Sequence, residues 1–109
     1  MLDERGGPNH VENFCFAPIH ANTKTSELIF TPTYYYIGHF SKFIKPGALR
    51  VSTTTSRTTI ESTSFMNEDG KIVTIVMNTT DTKINYKLIV GNSETQLEIA
   101  PHAMQSILY

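Results

Sequence analysis

Thr31-Pro32-Thr33-Tyr34-Tyr35-Tyr36-Ile37-Gly38-His39-Phe40-Ser41-Lys42-Phe43-Ile44-Lys45-Pro46-Gly47 is the stretch on which the reading of the fold turns. Thr31 is placed as an N-cap, and Pro32 takes the first helical position, where its missing N–H is no loss. Tyr36, Ile37, Phe40, Phe43 and Ile44 recur at three- and four-residue spacing, so the segment is predicted to be a helix with one apolar stripe. Pro46-Gly47 stops it. A stripe this aromatic needs a large apolar partner, which the short segments that follow hardly provide.

Upstream of this helix lie glycines, prolines and aromatics. Residues 1–31 read as mostly irregular, with Leu28-Ile29-Phe30 a short extended candidate. Downstream, from Leu49, the period becomes two. Leu49-Arg50-Val51 and Thr59 to Met66 are predicted strands, and Asn67-Glu68-Asp69-Gly70 is a hairpin turn. Lys71 to Asn78 is apolar on both faces, as in a strand buried on each side. Ile84, Tyr86, Leu88 and Val90 alternate with Asn85, Lys87 and Ile89, the pattern of a half-buried strand. Gly91-Asn92 signals another hairpin. Gln96 to Ala100 and Met104 to Tyr109, separated by Pro101, complete a meander of six short strands. The fold class is therefore mainly β: an antiparallel β-sandwich preceded by a loop and one α-helix. A meander of this size buries about 60% of its unfolded surface, a marginal core.

With 109 residues there is room for one domain, or one small domain with an appendage. A net charge of −1 gives no electrostatic basis for nucleic-acid or membrane-surface binding. No apolar run is long enough to span a bilayer. Met1-Leu2-Asp3-Glu4-Arg5 is charged and lacks the apolar core of a signal peptide. Cys15 is the single cysteine, so no intramolecular disulfide forms and the redox compartment stays open. Asn78-Thr79-Thr80 is a glycosylation sequon whose occurrence chance explains.

The chemistry-bearing residues are sparse. Asp3 and Glu4 are adjacent carboxylates, but neighbours on an extended chain point to opposite faces, and the plain reading is a solvated terminus. Glu61, Glu68, Asp69, Asp81, Glu94 and Glu98 read as surface residues of strands and turns. His10, His20, His39 and His102 show no ligand spacing, and no cysteine pair assists them, so neither a metal nor any other cofactor is expected. Cys15 between Phe14 and Phe16 reads as a small buried hydrophobe rather than a nucleophile. Tyr34-Tyr35-Tyr36 reads as packing, with polar tips reaching water, rather than as a stacking platform.

Gly6-Gly7-Pro8-Asn9-His10, then Asn13-Phe14, then Tyr36-Ile37-Gly38-His39-Phe40-Ser41-Lys42-Phe43-Ile44 with Pro46-Gly47, form a specific combination. It resembles the end of the catalytic barrel in glycoside hydrolase family 30, the glucosylceramidase-like enzymes. Phe65-Met66-Asn67-Glu68-Asp69-Gly70-Lys71-Ile72-Val73 is similar to that family's Asn-x-Asp-Gly-Lys-x-Val hairpin. The likeness covers nearly the whole chain. It departs at Phe16 and Asn22, where relatives often carry aspartate, and at Ser26, where glycine is common, which puts in doubt any polar network behind the loop.

The resemblance implies that residues 1–47 are the last loop and helix of a TIM barrel and residues 48–109 a C-terminal β-sandwich that supports it. The parent activity would be retaining hydrolysis of a β-linked glycoside by two glutamates about 5–5.5 Å apart. Both belong upstream of the matched segment, so this chain alone is expected to be inactive and to hold no catalytic residue. Active sites of such barrels lie in the loops after the strands. Asn9, His10, Asn13 and Phe14 would then lie at the sugar-site rim, the polar ones hydrogen-bonding hydroxyls and Phe14 giving an apolar face. The partner expected is the parent barrel, with a β-glucoside or related glycan bound only in its presence. The family's sandwich is also completed by strands from the enzyme's N-terminus, so an unpaired sheet edge, or the aromatic helix, is expected to drive self-association. The family is often secreted or lysosomal, while this sequence fixes no compartment. The alternative is a free-standing carbohydrate-binding or protein-interaction sandwich, which would need exposed aromatics spaced for stacking.

Overall fold

The computed structural model describes residues 1–7, 10 and 13–109. The chain forms two compact units, Met1–Gly38 and His39–Tyr109.

The first unit is more regular than its composition suggests. It contains β1 (Leu2–Asp3), β2 (Ile19–Asn22) and β3 (Glu27–Phe30), in the order β1-β2-β3. β1 runs parallel to β2, with Leu2 opposite His20, and β2 is antiparallel to β3, with Ile19 opposite Phe30. The β2–β3 turn is held by Asn22, whose side-chain oxygen accepts the N–H groups of Lys24 and Thr25 at 3.0 and 3.2 Å. Ser26 completes the turn with φ of 60°, the left-handed region that glycine occupies without steric cost. The serine that departs from the family pattern thus stands where the backbone favours a glycine.

α1 (Pro32–Phe43) begins where the Thr31-Pro32 signal places it. Thr31 marks the start through its carbonyl, which accepts the Tyr34 N–H at 3.0 Å. Its hydroxyl does not cap the helix as expected; it is directed to the carbonyl oxygens of Ala17 (3.0 Å) and Pro18 (3.1 Å). No residue of α1 is buried. The helix end is tied by Asn67, a buried residue of the following hairpin. Its amide nitrogen donates to Phe43 O (3.0 Å), and its side-chain oxygen accepts the Lys45 N–H (3.0 Å). The orphan groups of a helix end are thereby satisfied from a turn distant in sequence.

The second unit contains β4 (Leu49–Val51), β5 (Ile60–Met66), β6 (Ile72–Asn78), β7 (Ile84–Val90), β8 (Ser93–Ile99) and β9 (Met104–Leu108). One sheet has the order β4-β5-β6-β9; β7 and β8 form a separate hairpin. The meander is therefore interrupted once: after β6 the chain leaves for the hairpin and returns through β9 to pair with β6 again. Gly70 (φ +79°) and Gly91 (φ +58°) supply the left-handed turn positions of the two hairpins. β6 is the centre of the core, with Val73, Thr74, Ile75 and Val76 in succession all buried. Consecutive strand residues point to opposite faces, so both faces of β6 are covered. On one face Ile75 and Met77 surround a small hollow with Phe40, and His39 Nδ1 lies 2.9 Å from Ser106 Oγ. His39 is thus the packed, hydrogen-bonded residue expected. On the other face Thr74 bonds Ser64 Oγ (2.7 Å) and the Tyr109 hydroxyl (2.9 Å).

The acidic residues expected at the surface of this unit are there, and several pair across strands or turns, among them Lys83–Glu98 (3.0 Å) and Lys45–Asp69 (3.7 Å). Such exposed pairs contribute little, about 0–1 kcal/mol each.

Candidate functional site

The candidate site is the loop that leaves β1 and returns to β2. It is set by backbone groups and two side chains. Asp3 O accepts the Gly6 N–H (3.0 Å), while Asp3 Oδ1 accepts those of Arg5 (3.1 Å) and Gly7 (3.5 Å). Gly6 has φ of +68°, and its carbonyl accepts the Cys15 N–H at 2.9 Å. A Cβ on Gly6 would collide with the Phe14 ring, so a glycine is needed there for both conformation and space. Glu4 accepts both the N–H and the hydroxyl of Thr23 at 2.9–3.0 Å. The Thr23 N–H, then the residue's own backbone N–H, hold the Glu4 carboxyl below the usual range. Asp3 and Glu4 are thus turn and strand anchors rather than a solvated terminus. The signal was present: an Asp three residues before Gly-Gly is a composition that closes a turn through its own side chain.

Of the expected rim residues, His10 and Asn13 are exposed. Phe14 is 56% exposed although its ring is held on two sides. It lies parallel to the His20 imidazole (centroids 5.7 Å, 7°) and edge-to-face with Phe16 (5.0 Å, 81°). Asn9 lies outside the described residues. Cys15 is exposed, against the expectation of burial, because the loop directs it outward between two exposed phenylalanines. Phe16 is 85% exposed. His10 and Asn13 thus leave an imidazole and a carboxamide at the surface, while the Phe14 ring is packed against His20, Phe16 and the Gly6 backbone. Sequence reading passed over His20, which is buried and central to the loop.

Beyond the loop, β3 and α1 expose Leu28, Ile29, Phe30, Tyr34, Tyr35, Tyr36 and Ile37. Phe30, Tyr34 and Tyr35 form an edge-to-face ladder with centroid spacings of 4.8 and 5.3 Å. These rings are packed on one another at the surface rather than in a core. In the second unit a cleft of about 1060 Å³ opens between the four-stranded sheet and the β7–β8 hairpin, with Ser62, Ser64 and Thr74 on one wall and Ile84, Tyr86 and Leu88 on the other. Tyr86 donates to Gln105 Oε1 (2.9 Å), and burial pushes its phenol above the ordinary value. Among the described residues no group of three or more His, Cys, Asp or Glu side chains is placed to hold a metal ion. No helix among them is long and apolar enough to cross a membrane.

The sequon asparagine is structural. Asn78 is 1% exposed, and its Nδ2 donates to the carbonyls of Thr82 (2.7 Å) and Ala100 (3.0 Å). Both amide hydrogens are used inside the fold, so a glycan on that nitrogen is incompatible with it.

Comparison with known proteins finds two family matches along the chain. Residues 1–44 match the model of the glycosyl hydrolase family 30 TIM-barrel domain, and residues 47–107 that of the family 30 beta sandwich domain. Lysosomal acid glucosylceramidase of Mus musculus is 38% identical over 78 residues, 71% of this chain and 15% of the mouse protein. The crystal structure of SrfJ from Salmonella typhimurium superposes with a TM-score of 0.94 at 30% identity, over 99% of this chain and 24% of SrfJ. The endo-β1,6-glucanase BT3312 shares the fold, with a TM-score of 0.82 at 24% identity, over 96% of this chain and 24% of its own. The chain thus spans about a quarter or less of the length of these relatives. By the match of its greater part to the sandwich and of its beginning to the barrel, this chain belongs to glycoside hydrolase family 30.

Proposed function

We propose that this chain is the non-catalytic C-terminal portion of a glucosylceramidase-like retaining β-glycoside hydrolase and supports the catalytic barrel. Residues 1–47 contribute the last barrel loop and helix, and residues 48–109 the supporting sandwich. Asn9, His10, Asn13 and Phe14 border the sugar site when the rest of the barrel is present. The β-glycoside is bound only in that assembly.

The observation that carries this reading is the exposed apolar surface of β3 and α1, which falls within the part of the chain that matches the barrel domain. Contiguous apolar surface of this kind marks a face that another protein surface covers. The two carboxylates of the loop region, Asp3 and Glu4, are engaged by backbone N–H groups, which suits anchoring rather than acid–base work. The free-standing sugar-binding module finds no comparable support: Tyr86 and Tyr109 are tied through their hydroxyls, and Phe65 is half-buried.

The test has two arms. The pure chain is incubated with an aryl β-glucoside; no hydrolysis above buffer is expected, and turnover would overturn the reading. The chain is then mixed with SrfJ lacking its matching quarter. Formation of a one-to-one complex is expected, and its failure to form counts against barrel support. In the absence of a barrel the chain is expected to self-associate through an unpaired sheet edge or the aromatic helix. Sedimentation checks this: an unchanged monomer mass over a wide concentration range would remove that part of the proposal.

A further inference from the structure

His20 is a buried imidazole whose two nitrogens both meet backbone groups. Ala17 N–H points at Nε2 at 3.0 Å, and Asp3 O faces Nδ1 at 3.2 Å. An amide N–H can only donate and a carbonyl can only accept. Nε2 must therefore carry a lone pair and Nδ1 a hydrogen. The partners alone fix one neutral tautomer.

Those partners sit at the two feet of the candidate loop. Asp3 is the last residue of β1, and Ala17 stands two residues before β2. The imidazole bridges them, and the Phe14 ring is stacked parallel on it. The backbone bonds Gly6 N–H to Asp3 O and Cys15 N–H to Gly6 O lie inside the bracket so formed.

We propose that His20 is a positioning residue for this loop: locked with its hydrogen on Nδ1, it clasps Asp3 to Ala17 and gives Phe14 the flat surface on which it is laid. His20 touches no substrate itself. It acts through Phe14 and through the positions of Asp3 and Ala17. The sugar-facing meaning of the loop rests on the reading proposed above; the clasp does not.

The experiment uses the full chain, labelled with ¹⁵N. Long-range ¹H–¹⁵N correlation of the His20 ring is expected to show a protonated Nδ1 and a bare Nε2. A hydrogen on Nε2, or a ring averaging between tautomers, overturns the proposal. His20→Phe keeps a flat ring for Phe14 but removes both hydrogen bonds. Amide exchange of Gly6, Cys15 and Ala17 is expected to rise at least tenfold, while Val73 and Ile75 keep their protection and so report an intact second unit. His20→Gln places an acceptor near the Nε2 position and is expected to restore protection at Ala17 and not at Gly6. Unchanged exchange in His20→Phe, or equal recovery at both residues in His20→Gln, overturns the clasp. None of these readouts involves a sugar, so hydrolysis by the isolated chain would remove the functional reading and leave the clasp standing.

Discussion

The two units are held together by different physics. In His39–Tyr109 a central strand is buried from both faces, and Val73 and Ile99 have no exposed surface at all. Among the described residues of Met1–Gly38 the buried ones with side chains are Ala17 and His20, and the large apolar side chains of β3 and the start of α1 are exposed. What orders the first unit is a set of side-chain bonds to backbone groups: Asp3, Glu4, His20, Asn22 and Thr31 each hold a specific N–H or C=O. Apolar burial at about 25 cal/mol per Å² accumulates over a strand, whereas a net hydrogen bond is worth about 0.5–1.5 kcal/mol. A segment stabilised in the second way is shaped but weakly held.

This contrast can be broken most sharply in the core. Ile99→Ala opens a cavity at a position with no exposed surface and is expected to cost about 2–5 kcal/mol, read by urea unfolding of the second unit. Amide exchange within residues 3–20 should change far less than that of Val73 and Ile75; an equal loss in both units would abolish the distinction. Asn78→Ala comes next. Its side chain donates to Thr82 O and Ala100 O and accepts from the N–H and hydroxyl of Thr80 at 2.9 and 2.8 Å. Truncation removes these four bonds and empties a buried position, while Thr82 O keeps the Thr80 hydroxyl and Ala100 O keeps the Ala103 N–H, and it is expected to cost about 1–3 kcal/mol in the same urea experiment. A loss near zero would mean that water replaces the side chain and that the second unit is less close-packed than its burial indicates.

The same contrast explains what the sequence made legible. The six strands of the sandwich were readable because alternation and turn residues such as Asn67-Glu68-Asp69-Gly70 are local signals. The return of β9 to β6 was not, because pairing across an intervening hairpin leaves no mark in periodicity. In the first unit β1 has two residues and β2 four, too few for a period to show, and the β1–β2 pairing joins segments far apart in the sequence. Cys15 was read as buried because its phenylalanine neighbours are apolar, yet apolar neighbours bury a residue only where there is a core. The candidate rim at His10, Asn13 and Phe14 came from family likeness, and the clasp beneath it came from atomic positions alone, since nothing in Ile-His-Ala-Asn announces a bridging imidazole.

Smaller effects sharpen the description of the first unit. Gly6→Ala forces a left-handed conformation on an alanine, worth about 1–2 kcal/mol, and drives its Cβ into the Phe14 ring. Loss of protection at Gly6 and Cys15 and a shift of the Phe14 ring resonances are expected, with Val73 unmoved. An unshifted Phe14 would show that the ring does not lie on the Gly6 backbone in solution.

The smallest expected effect is that of Glu4. Its folded-state pKa lies below the ordinary value of 4.5, chiefly because the Thr23 N–H bonds the charged form. A group with a depressed folded pKa adds stability that is present above its unfolded pKa and is lost as pH falls through the folded one. The Glu4–Thr23 link should therefore hold at neutral pH and weaken only below pH 4.5, seen as a drift of the Thr23 amide resonance with acidification. Because Glu4 is exposed to solvent the stability change is small, and the resonance is the sensitive probe. Glu4→Gln should abolish the drift while leaving the amide bonded through the side-chain oxygen. A Thr23 amide that titrates above pH 4.5, or that ignores the substitution, would mean that this anchor does not form and that the first unit is held by fewer bonds than its geometry implies.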